Sequence, residues 1–371
     1  MASLICSTSG KAYPLLSARW HGEDMSLLDI RHDLTFQKAD VNPDLQGMWR
    51  YRAAIPLPDE TPLITQGEGW TPLIEEKIEG KKVWLKLDHL FPSGSYKDRG
   101  GAALITLAKA IGVTRVVQDS SGNAGCAVAH YGALAEISCD IFVPASTSPA
   151  KLAQIRAYGA KLHLVPGSRE DTASAARHAA SDTFYASHVW HPFFYEGTKT
   201  FAYEICEQLG WQAPDTVVLP AGNGTLLLGC EIGFRELQQA GIITHIPKLI
   251  GIQSANCAPL YQAFHWEAPT PNQSTVAEGI AIAAPLRADH MITAVRKTRG
   301  TFLKVTEEEI ADTLRMMTGR GYFIEPTSAA VIAGLRQYLR VHAQTGETIV
   351  SVTTGHGLKA ASKIEKILTG L

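Results

Sequence analysis

The chain has 371 residues, which is long enough for two domains and a substantial hydrophobic core. Its 45% hydrophobic and 19% charged content are typical of a soluble globular protein. The net charge of -2 gives no electrostatic basis for binding nucleic acid or an anionic membrane, and no segment has the apolar length needed to span a bilayer.

The first 50 residues are weakly periodic and resemble a small appended unit. The start lacks a basic segment followed by a long apolar run, so we expect a cytoplasmic protein. Six cysteines are scattered, at 6, 126, 139, 206, 230 and 257, and none forms a CxxC pair. This spacing supports neither a zinc ribbon nor a redox dithiol, and most of these cysteines are expected to be small buried hydrophobes.

From about residue 80 onward, short apolar segments alternate with amphipathic ones. This alternation predicts an α/β fold with mostly parallel sheets. The predicted strands are 83–87, 115–118, 140–144, 161–165, 216–220, 249–253 and 348–352. The predicted helices include 149–158, 171–180, 197–209, 226–239, 307–317 and 327–341.

Four polar turns follow predicted strands and open helices, where ligands bind in open α/β sheets. The first is the run PSGSYKDRG at 92–100, which contains Lys97. A lysine in the first turn of a helix faces the positive end of the helix dipole, and this disfavours its charged form. A neutral amine held there can attack a carbonyl and form a Schiff base. From the local run alone, a solvated lysine at a helix start is an equally good interpretation.

The second turn, DSSGNAG at 119–125, presents backbone N–H groups and the small polar side chains of Ser120, Ser121 and Asn123. Such a turn suits a carboxylate or a phenolate oxygen. Serine and asparagine are also good helix caps, and the local run alone favours an ordinary cap.

The third turn, PAGNGTL at 220–226, combines Gly222, Asn223, Gly224 and Thr225. Two glycines allow the backbone to close on an anion, and the hydroxyl and the helix dipole add to its binding, so the turn predicts a phosphate site. The nucleotide-binding pattern GxxxxGK[ST] is absent, and the glycine spacing does not match a dinucleotide fingerprint. A tight turn without a ligand is the alternative.

The fourth turn, SVTTGHGLK at 351–359, carries a hydroxyl at a strand end that can reach the ring nitrogen of a ligand. His356 also lies here. We interpret it as structural, because it sits between two glycines at a helix start.

Taken together, the four turns resemble those of pyridoxal-phosphate enzymes of the tryptophan-synthase-β family (fold type II), with the threonine synthase branch the best match. The resemblance covers about residues 50 to 371. It rests on GEGWTPL at 67–73, SGSYKDRG at 93–100, SSGNAG at 120–125, EGTKTFAYE at 196–204, GNGT at 222–225, VAEGI at 276–280, EPTSAA at 325–330 and TTGHGLK at 353–359.

The resemblance implies pyridoxal 5'-phosphate as the cofactor and a role for each turn. The implied cofactor contacts are Lys97 as the Schiff-base lysine, Asn123 at the phenolic oxygen, Gly222, Asn223, Gly224 and Thr225 at the phosphate, and Thr354 at the pyridine nitrogen. Ser120, Ser121 and Asn123 match positions that receive the substrate carboxylate.

The resemblance also implies an architecture. We expect two open twisted, mostly parallel sheets flanked by helices, with a large cofactor-binding domain at 51–95 and 190–371 and a small mobile domain at 96–189. The cofactor is expected between them, and we expect the protein to form a homodimer. Residues 1–50 resemble a degenerate zinc-ribbon start that keeps only Cys6 of the expected ligands, so we predict no metal.

One segment departs from the family pattern and bears on the substrate. Phe194 stands where several threonine synthases carry a phosphate-binding arginine, and His188 and Val189 replace an Asn-Ser pair. Losing the arginine removes a bidentate, permanently charged phosphate clamp. His188 is kept as a candidate substrate-binding residue. The neighbouring aromatic residues indicate either an apolar pocket wall or plain core packing.

We therefore predict a pyridoxal-phosphate-dependent lyase or synthase. It would abstract the α-proton of an L-amino acid and eliminate a substituent, with or without β-replacement. A true threonine synthase, which converts O-phospho-L-homoserine and water to L-threonine and phosphate, is the first alternative. A non-catalytic carrier or sensor of the cofactor is the second, and a nicotinamide dehydrogenase is disfavoured by the glycine spacing.

Overall fold

The chain divides into two compact units in the computed structural model, which describes residues 2–147 and 149–369. Unit 1 comprises Met1–Glu68 and Lys97–Thr198, and unit 2 comprises Gly69–Tyr96 and Lys199–Leu371. The chain therefore passes from unit 2 to unit 1 at the peptide bond between Tyr96 and Lys97.

Strands and helices alternate along most of the chain. The strands are β1 (Ser3–Cys6), β2 (Ala12–Pro14), β3 (Leu28–Arg31), β4 (Leu73–Ile78), β5 (Lys81–Lys86), β6 (Arg115–Gln118), β7 (Ser138–Pro144), β8 (Lys161–Val165), β9 (Phe184–Tyr185), β10 (Thr216–Pro220), β11 (Lys248–Ser254), β12 (Thr301–Val305) and β13 (Ile349–Val352). The α-helices are α1 (Lys97–Ala110), α2 (Asn123–Leu134), α3 (Pro149–Ala157), α4 (Arg169–Ala179), α5 (Phe193–Thr198), α6 (Thr200–Gln208), α7 (Thr225–Gln239), α8 (Pro259–His265), α9 (Ala288–Lys297), α10 (Glu307–Gly319), α11 (Pro326–Val341) and α12 (Ala361–Thr369).

Unit 1 is built on a parallel sheet with the strand order β8-β7-β6-β9. Its central strands carry buried β-branched residues, among them Val116, Val117, Ile141 and Val143. Such residues favour a pleated surface that is covered on both faces. The SSGNAG turn follows β6 directly, so it lies at the carboxyl end of an interior strand, where α/β sheets bind ligands.

The N-terminal segment belongs to unit 1 and does not form a domain of its own. Its antiparallel sheet, β2-β1-β3, contributes Leu4 and Leu28 to the same hydrophobic cluster as Leu104 of α1. Trp49 packs in that cluster, and its Nε1–H donates to the buried Glu68 carboxylate over 2.6 Å. The compact unit thus extends to Glu68, past the predicted boundary at residue 50, because this segment shares the core of the unit.

Cys6 ends β1 among hydroxyl groups. Its Sγ lies 2.9 Å from Ser26 Oγ and 3.2 Å from Thr8 Oγ1. Thr8 in turn donates to Asp24 over 2.8 Å. Hydrogen bonds therefore connect the end of β1 with Thr8, Asp24 and Ser26. The zinc-ribbon-like origin of this segment and the absence of a metal both stay predictions.

Unit 2 contains a six-stranded sheet with the order β12-β11-β10-β13-β5-β4. Its strand pairs are parallel except for β4 and β5, which a tight turn joins as an antiparallel hairpin. In that turn Glu79 and Gly80 have φ values of 49° and 75°. Positive values at both positions give a two-residue turn the same twist as the strands that it joins. All five residues of β10 are buried, and the GNGT turn follows its carboxyl end.

A buried ion pair connects β5 to α6 inside unit 2. Lys86 Nζ lies 2.8 Å from Glu204 Oε2, and both side chains are fully buried. Lys86 Nζ also donates to Gln208 Oε1 and to the Thr71 carbonyl, each over 2.7 Å. Fully buried charges persist only when they are paired and hydrogen-bonded in this way.

The predicted α/β class with mostly parallel sheets is confirmed. The strands at 115–118, 161–165 and 216–220 have the predicted bounds. The predicted helix 197–209 is instead two helices, α5 and α6, separated at Lys199. None of the helices in the described residues is both long and apolar enough to cross a membrane.

Candidate active site

Lys97 is the first residue of α1 and of the second segment of unit 1. Burial of its amine lowers the pKa from its usual 10.5 to about 7. At neutral pH the Lys97 amine is therefore uncharged in a large fraction of the molecules, and an uncharged amine can attack a carbonyl. The sequence anticipated a disfavoured charge from the helix dipole, whereas desolvation is the cause that the structure identifies.

The aromatic ring of Phe194, on α5, lies near this amine inside unit 1. Lys97 Nζ lies 5.8 Å from the centroid of the buried Phe194 ring, which is within cation–π distance. A Cβ at Gly100 would overlap that ring, so the small residue of α1 makes room for Phe194. The His188 ring lies 6.1 Å from the Phe194 ring.

His188 is buried, and its environment keeps it neutral. Burial lowers its pKa well below 6.5, and the positive charges of Lys97 and Arg169 lower it further. A neutral imidazole offers one hydrogen-bond donor and one acceptor, but no positive charge for a phosphate.

The SSGNAG turn also lies in unit 1. Ser120 Oγ accepts a hydrogen bond from the Gly122 N–H over 3.2 Å, and Asn123 begins α2. A Cβ at Gly125 would overlap the Ser120 carbonyl oxygen, so the turn folds tightly over the first turn of α2. Ser120, Ser121 and Asn123 are half-buried, which is compatible with access for a small carboxylate.

The GNGT turn of unit 2 forms a cradle at the start of the 15-residue helix α7. Gly224 has a φ of 80°, a left-handed conformation that glycine adopts without strain. A Cβ at Gly222 would come within 2.9 Å of the Gly279 carbonyl oxygen, so the cradle packs against the VAEGI segment. Thr225 is buried at the first position of α7, where the N–H groups and the helix dipole favour an anion.

Thr354 follows β13 and is almost fully buried. Its N–H donates to Ser328 Oγ over 2.8 Å, and the two side-chain oxygens lie 3.1 Å apart. The Gly355 N–H donates to the same Ser328 oxygen over 3.1 Å. Ser328, on α11, thereby fixes the position of the Thr354 hydroxyl.

Tyr96 links the two turns of unit 2 that the sequence predicts to bind a ligand. Its N–H donates to the Thr354 carbonyl oxygen over 3.0 Å, and its Oη lies 2.8 Å from Thr225 Oγ1. The sequence pattern alone singles out neither Tyr96 nor Ser328. A sequence signal for Tyr96 is its place directly before Lys97.

The residues of unit 2 suit a phosphorylated, polar ring ligand. Gly222 and Gly224 leave the backbone of the cradle open at positions where a Cβ would collide with neighbouring atoms. Ser95, which bridges to Gly355, is fully buried, and its Oγ has no hydrogen-bond partner among the residues that the structure describes. A polar ligand group or a water would satisfy this hydroxyl. These observations fit pyridoxal phosphate.

Three other motif residues are held by local contacts. Glu278 is exposed and forms an ion pair with Lys363 over 2.6 Å. Glu325 precedes α11, and its carboxylate occupies the space that a Cβ at Gly355 would need. His356 Nδ1 accepts a hydrogen bond from the Leu358 N–H over 3.2 Å, as a helix cap.

The predicted site residues thus fall into two groups, each described within its own unit. Unit 1 carries Lys97, Ser120, Ser121, Asn123 and His188, and unit 2 carries Gly222, Asn223, Gly224, Thr225 and Thr354. In unit 1, Lys97 and His188 lie near the same Phe194 ring. In unit 2, Tyr96 connects Thr225 with Thr354.

Comparison with known proteins agrees with this chemistry. A family model described as pyridoxal-phosphate dependent enzyme matches residues 64–355. The threonine synthase of Methanocaldococcus jannaschii is 35% identical over 95% of this chain and 92% of its own length. The threonine synthase of Methanosarcina acetivorans is 36% identical over 90% of this chain and 86% of its own length.

Solved structures share the fold at low sequence identity. The processed form of threonine deaminase isoform 2 from Solanum lycopersicum has a TM-score of 0.67 and 21% identity, with 81% of this chain and 84% of that chain covered. O-ureido-L-serine synthase has a TM-score of 0.69 and 22% identity, with 85% and 96% covered.

The chain belongs to the family of pyridoxal-phosphate-dependent enzymes. It is a threonine synthase-like member, and its cofactor is pyridoxal 5'-phosphate. The predicted family, cofactor and enzyme class are confirmed.

Proposed function

We propose that this enzyme removes the α-proton of an L-amino acid and eliminates a substituent, with or without β-replacement. The observation that carries the proposal is Lys97, whose amine has a pKa lowered to about 7 by burial and which lies within the residues 64–355 that the family model matches. Such an amine can bond the cofactor aldehyde, and after release it can take a proton from Cα as a general base.

The other residues of the proposed site bind and orient. The 222–225 cradle holds the cofactor phosphate with backbone N–H groups and the Thr225 hydroxyl. The N–H groups and side chains at Ser120, Ser121 and Asn123 receive the substrate carboxylate, with Asn123 also at the phenolic oxygen. Bound pyridoxal phosphate supplies the electron sink that stabilises negative charge at Cα.

The Thr354–Ser328 hydroxyl pair supports elimination over transamination. A neutral hydroxyl at the pyridine nitrogen does not enforce its protonation as a carboxylate would, and the electron sink is correspondingly weaker. Ser328 Oγ lies 2.8 Å from the Thr354 nitrogen and 3.1 Å from the Thr354 hydroxyl, and it accepts from the Gly355 N–H over 3.1 Å, so this neutral partner is held in place.

The surroundings of Lys97 favour a substrate without a phosphate group. The Phe194 ring is fully buried near the amine, and His188 is neutral, so neither supplies the positive charge that a phosphate dianion requires. A true threonine synthase is the second candidate, because relatives 35% and 36% identical over most of the chain carry that name.

Phosphate release from O-phospho-L-homoserine by the cofactor-loaded enzyme separates these candidates. Release coupled to L-threonine formation would establish a threonine synthase. Formation of a 2-oxo acid from L-serine or L-threonine, without phosphate release, would establish elimination on a non-phosphorylated amino acid. Lys97→Ala is the control for both reactions, and activity comparable to the wild type in that variant would refute the assignment of Lys97.

An exchange assay in deuterated water distinguishes the proposed enzyme from a carrier or sensor of the cofactor. The enzyme proposed here exchanges the α-proton of at least one L-amino acid for deuterium, as measured by proton NMR. A protein that binds the cofactor but exchanges no α-proton in a panel of the common amino acids is a carrier.

We further propose a homodimer that acts in the cytoplasm. The six cysteines are free and buried, which is compatible with a reducing compartment. Light scattering coupled to size-exclusion chromatography measures the oligomeric state, and a monomer at micromolar concentration would contradict the dimer.

A further inference from the structure

We propose that Tyr96 is a positioning residue for the cofactor phosphate, because its hydroxyl directs the hydroxyl proton of Thr225 toward that phosphate. The inference rests on the proposed role of the 222–225 cradle as the phosphate site. It assigns a function to a side chain that belongs to neither the cradle nor the Schiff-base lysine.

The hydroxyl groups of Tyr96 and Thr225 share one hydrogen bond. Tyr96 Oη and Thr225 Oγ1 lie 2.8 Å apart, so one of them donates to the other. Each hydroxyl carries one proton and can also accept. If the Thr225 hydroxyl donates its hydrogen bond to a phosphate oxygen, Thr225 Oγ1 must accept the hydrogen bond from Tyr96. With a phosphate bound, Tyr96 therefore donates a hydrogen bond to Thr225, and Thr225 donates one to the phosphate.

The environment of Tyr96 keeps it a donor. Burial raises the pKa of its phenol above the usual value of 10, so the hydroxyl keeps its proton throughout the neutral range. Hydrogen bonds in series polarise one another, and the donated bond from Tyr96 makes the Thr225 hydroxyl a better donor to an anion.

The main chain of Tyr96 is fixed independently of its side chain. Its N–H donates to the Thr354 carbonyl oxygen over 3.0 Å, and the preceding Ser95 bridges to Gly355. Tyr96 is also peptide-bonded to Lys97. One residue of unit 2 thus contacts both the proposed phosphate turn and the proposed ring-nitrogen turn, so its hydroxyl helps to hold the phosphate in register with the Thr354 turn.

The test measures ligand affinity rather than turnover. The full-length protein is stripped of cofactor and titrated with pyridoxal phosphate, with pyridoxal and with inorganic phosphate, using the fluorescence of its seven tryptophans. Tyr96→Phe removes the hydroxyl and keeps the ring. We expect about two- to tenfold weaker binding of pyridoxal phosphate and of inorganic phosphate, the usual value of one hydrogen bond, and an unchanged affinity for pyridoxal.

A matched control exists in the same unit. Tyr338 Oη lies 3.1 Å from Thr216 Oγ1, which is also a buried tyrosine–threonine contact, but it belongs to neither proposed ligand turn. Tyr338→Phe is expected to leave all three affinities unchanged. Equal losses in the two variants would show a general effect on the stability of unit 2 and would overturn the inference.

A double-variant cycle tests the relay itself. Thr225→Val removes the hydroxyl that Tyr96 is proposed to orient, so Tyr96→Phe added to this variant should cause no further loss of phosphate affinity. Independent, additive losses would refute the relay. The cycle also compares folded proteins with one another, so a Tyr96 variant of reduced stability does not obscure the result.

The outcomes separate this inference from the proposed function. A wild-type protein that binds pyridoxal phosphate, with a Tyr96→Phe variant of identical affinity, refutes the inference alone. An equal loss of affinity for pyridoxal and pyridoxal phosphate also refutes it, because the effect would not depend on the phosphate. A wild-type protein that binds neither pyridoxal phosphate nor inorganic phosphate refutes the proposed function and the inference together.

Discussion

The lowered pKa of Lys97 predicts how cofactor incorporation depends on pH. Bond formation with the aldehyde requires the neutral amine, and the pKa of this amine is lowered to about 7 from its usual 10.5. Because the neutral form of a lysine increases with pH, the incorporation rate should rise through pH 7 and become constant above about pH 8. An ordinary lysine would give a rate that still increases at pH 10.

The size of the effect follows from the two pKa values. At pH 7.5, about 75% of an amine with a pKa of 7 is neutral, compared with about 0.1% of an amine with a pKa of 10.5. The fraction of reactive amine differs by nearly a thousandfold. Part of this advantage is offset, since an amine of lower pKa is intrinsically less nucleophilic.

The assay uses protein stripped of cofactor and follows the visible absorption of the lysine-bound form after mixing with pyridoxal phosphate at pH 5.5 to 10. The second ionisation of the phosphate falls in the lower part of this range, so a parallel series uses pyridoxal, which has no phosphate. Borohydride reduction followed by peptide mass spectrometry identifies the modified lysine, and Lys97→Ala is the negative control.

Two results would refute this reasoning. A rate that increases tenfold per pH unit up to pH 10, with both aldehydes, would mean that Lys97 has an ordinary pKa. A plateau with pyridoxal phosphate but a continuous rise with pyridoxal would mean that the phosphate, and not the amine, determines the pH dependence.

Three further substitutions test the supports of the site. Gly224→Ala places a side chain at a φ of 80° and against Met291, and it should lower the free energy of unfolding by about 1–2 kcal/mol and weaken cofactor binding. Ser328→Ala removes the acceptor of two buried N–H groups, so a loss of about 2 kcal/mol or more and reduced turnover are expected. Lys86→Met leaves the Glu204 carboxylate buried without its cation and should cost about 3–5 kcal/mol. Urea unfolding measures all three.

Each substitution has a control elsewhere in unit 2. Gly346→Ala occurs at the same φ of 80° with no atom within 4 Å of the new Cβ, so it isolates backbone strain from the contact with Met291. Ser351→Ala removes a single bond, to the Val218 carbonyl over 3.3 Å. Lys304→Met breaks an exposed pair with Glu267 and should cost less than about 1 kcal/mol. A control that loses as much stability as its partner would contradict the corresponding explanation.

The fold was predictable where the sequence pattern follows a single physical rule. Buried parallel strands appear as short apolar runs, and the run at 216–220 gives β10 with its predicted bounds. The start of α4 was missed by two residues, because the capping contact between Ser168 and Asp171 determines where that helix begins. The extent of unit 1 was not predictable either, since Trp49 and Glu68 meet only in the folded core.

The candidate site could be proposed from the sequence where the chemistry itself requires a residue type. A Schiff base requires a lysine, and a phosphate cradle requires glycines and a hydroxyl, so Lys97, Gly224 and Thr225 stand out in the sequence. Ser328 contacts Thr354, and Tyr96 contacts Thr225, so both support residues of the proposed site. A serine or a tyrosine in a helix or loop is chemically ordinary, and only the distances of 2.8 Å to Thr354 N and to Thr225 Oγ1 identify them.

The contacts of unit 2 explain why such supporting residues matter. The proton of a hydroxyl such as that of Thr225 or Thr354 can rotate about the C–O bond. If this rotation is unrestrained, ordering the hydroxyl on binding costs entropy and lowers the affinity for the ligand. Tyr96 and Ser328 each supply a hydrogen-bond partner that limits the orientations of these hydroxyls before a ligand binds. Both partners are uncharged, so they orient the hydroxyls without adding a charge that would alter the ionisation of the phosphate or the pyridine nitrogen. Pre-organisation by neutral hydrogen bonds is therefore the physical property that we expect Tyr96→Phe and Ser328→Ala to reduce.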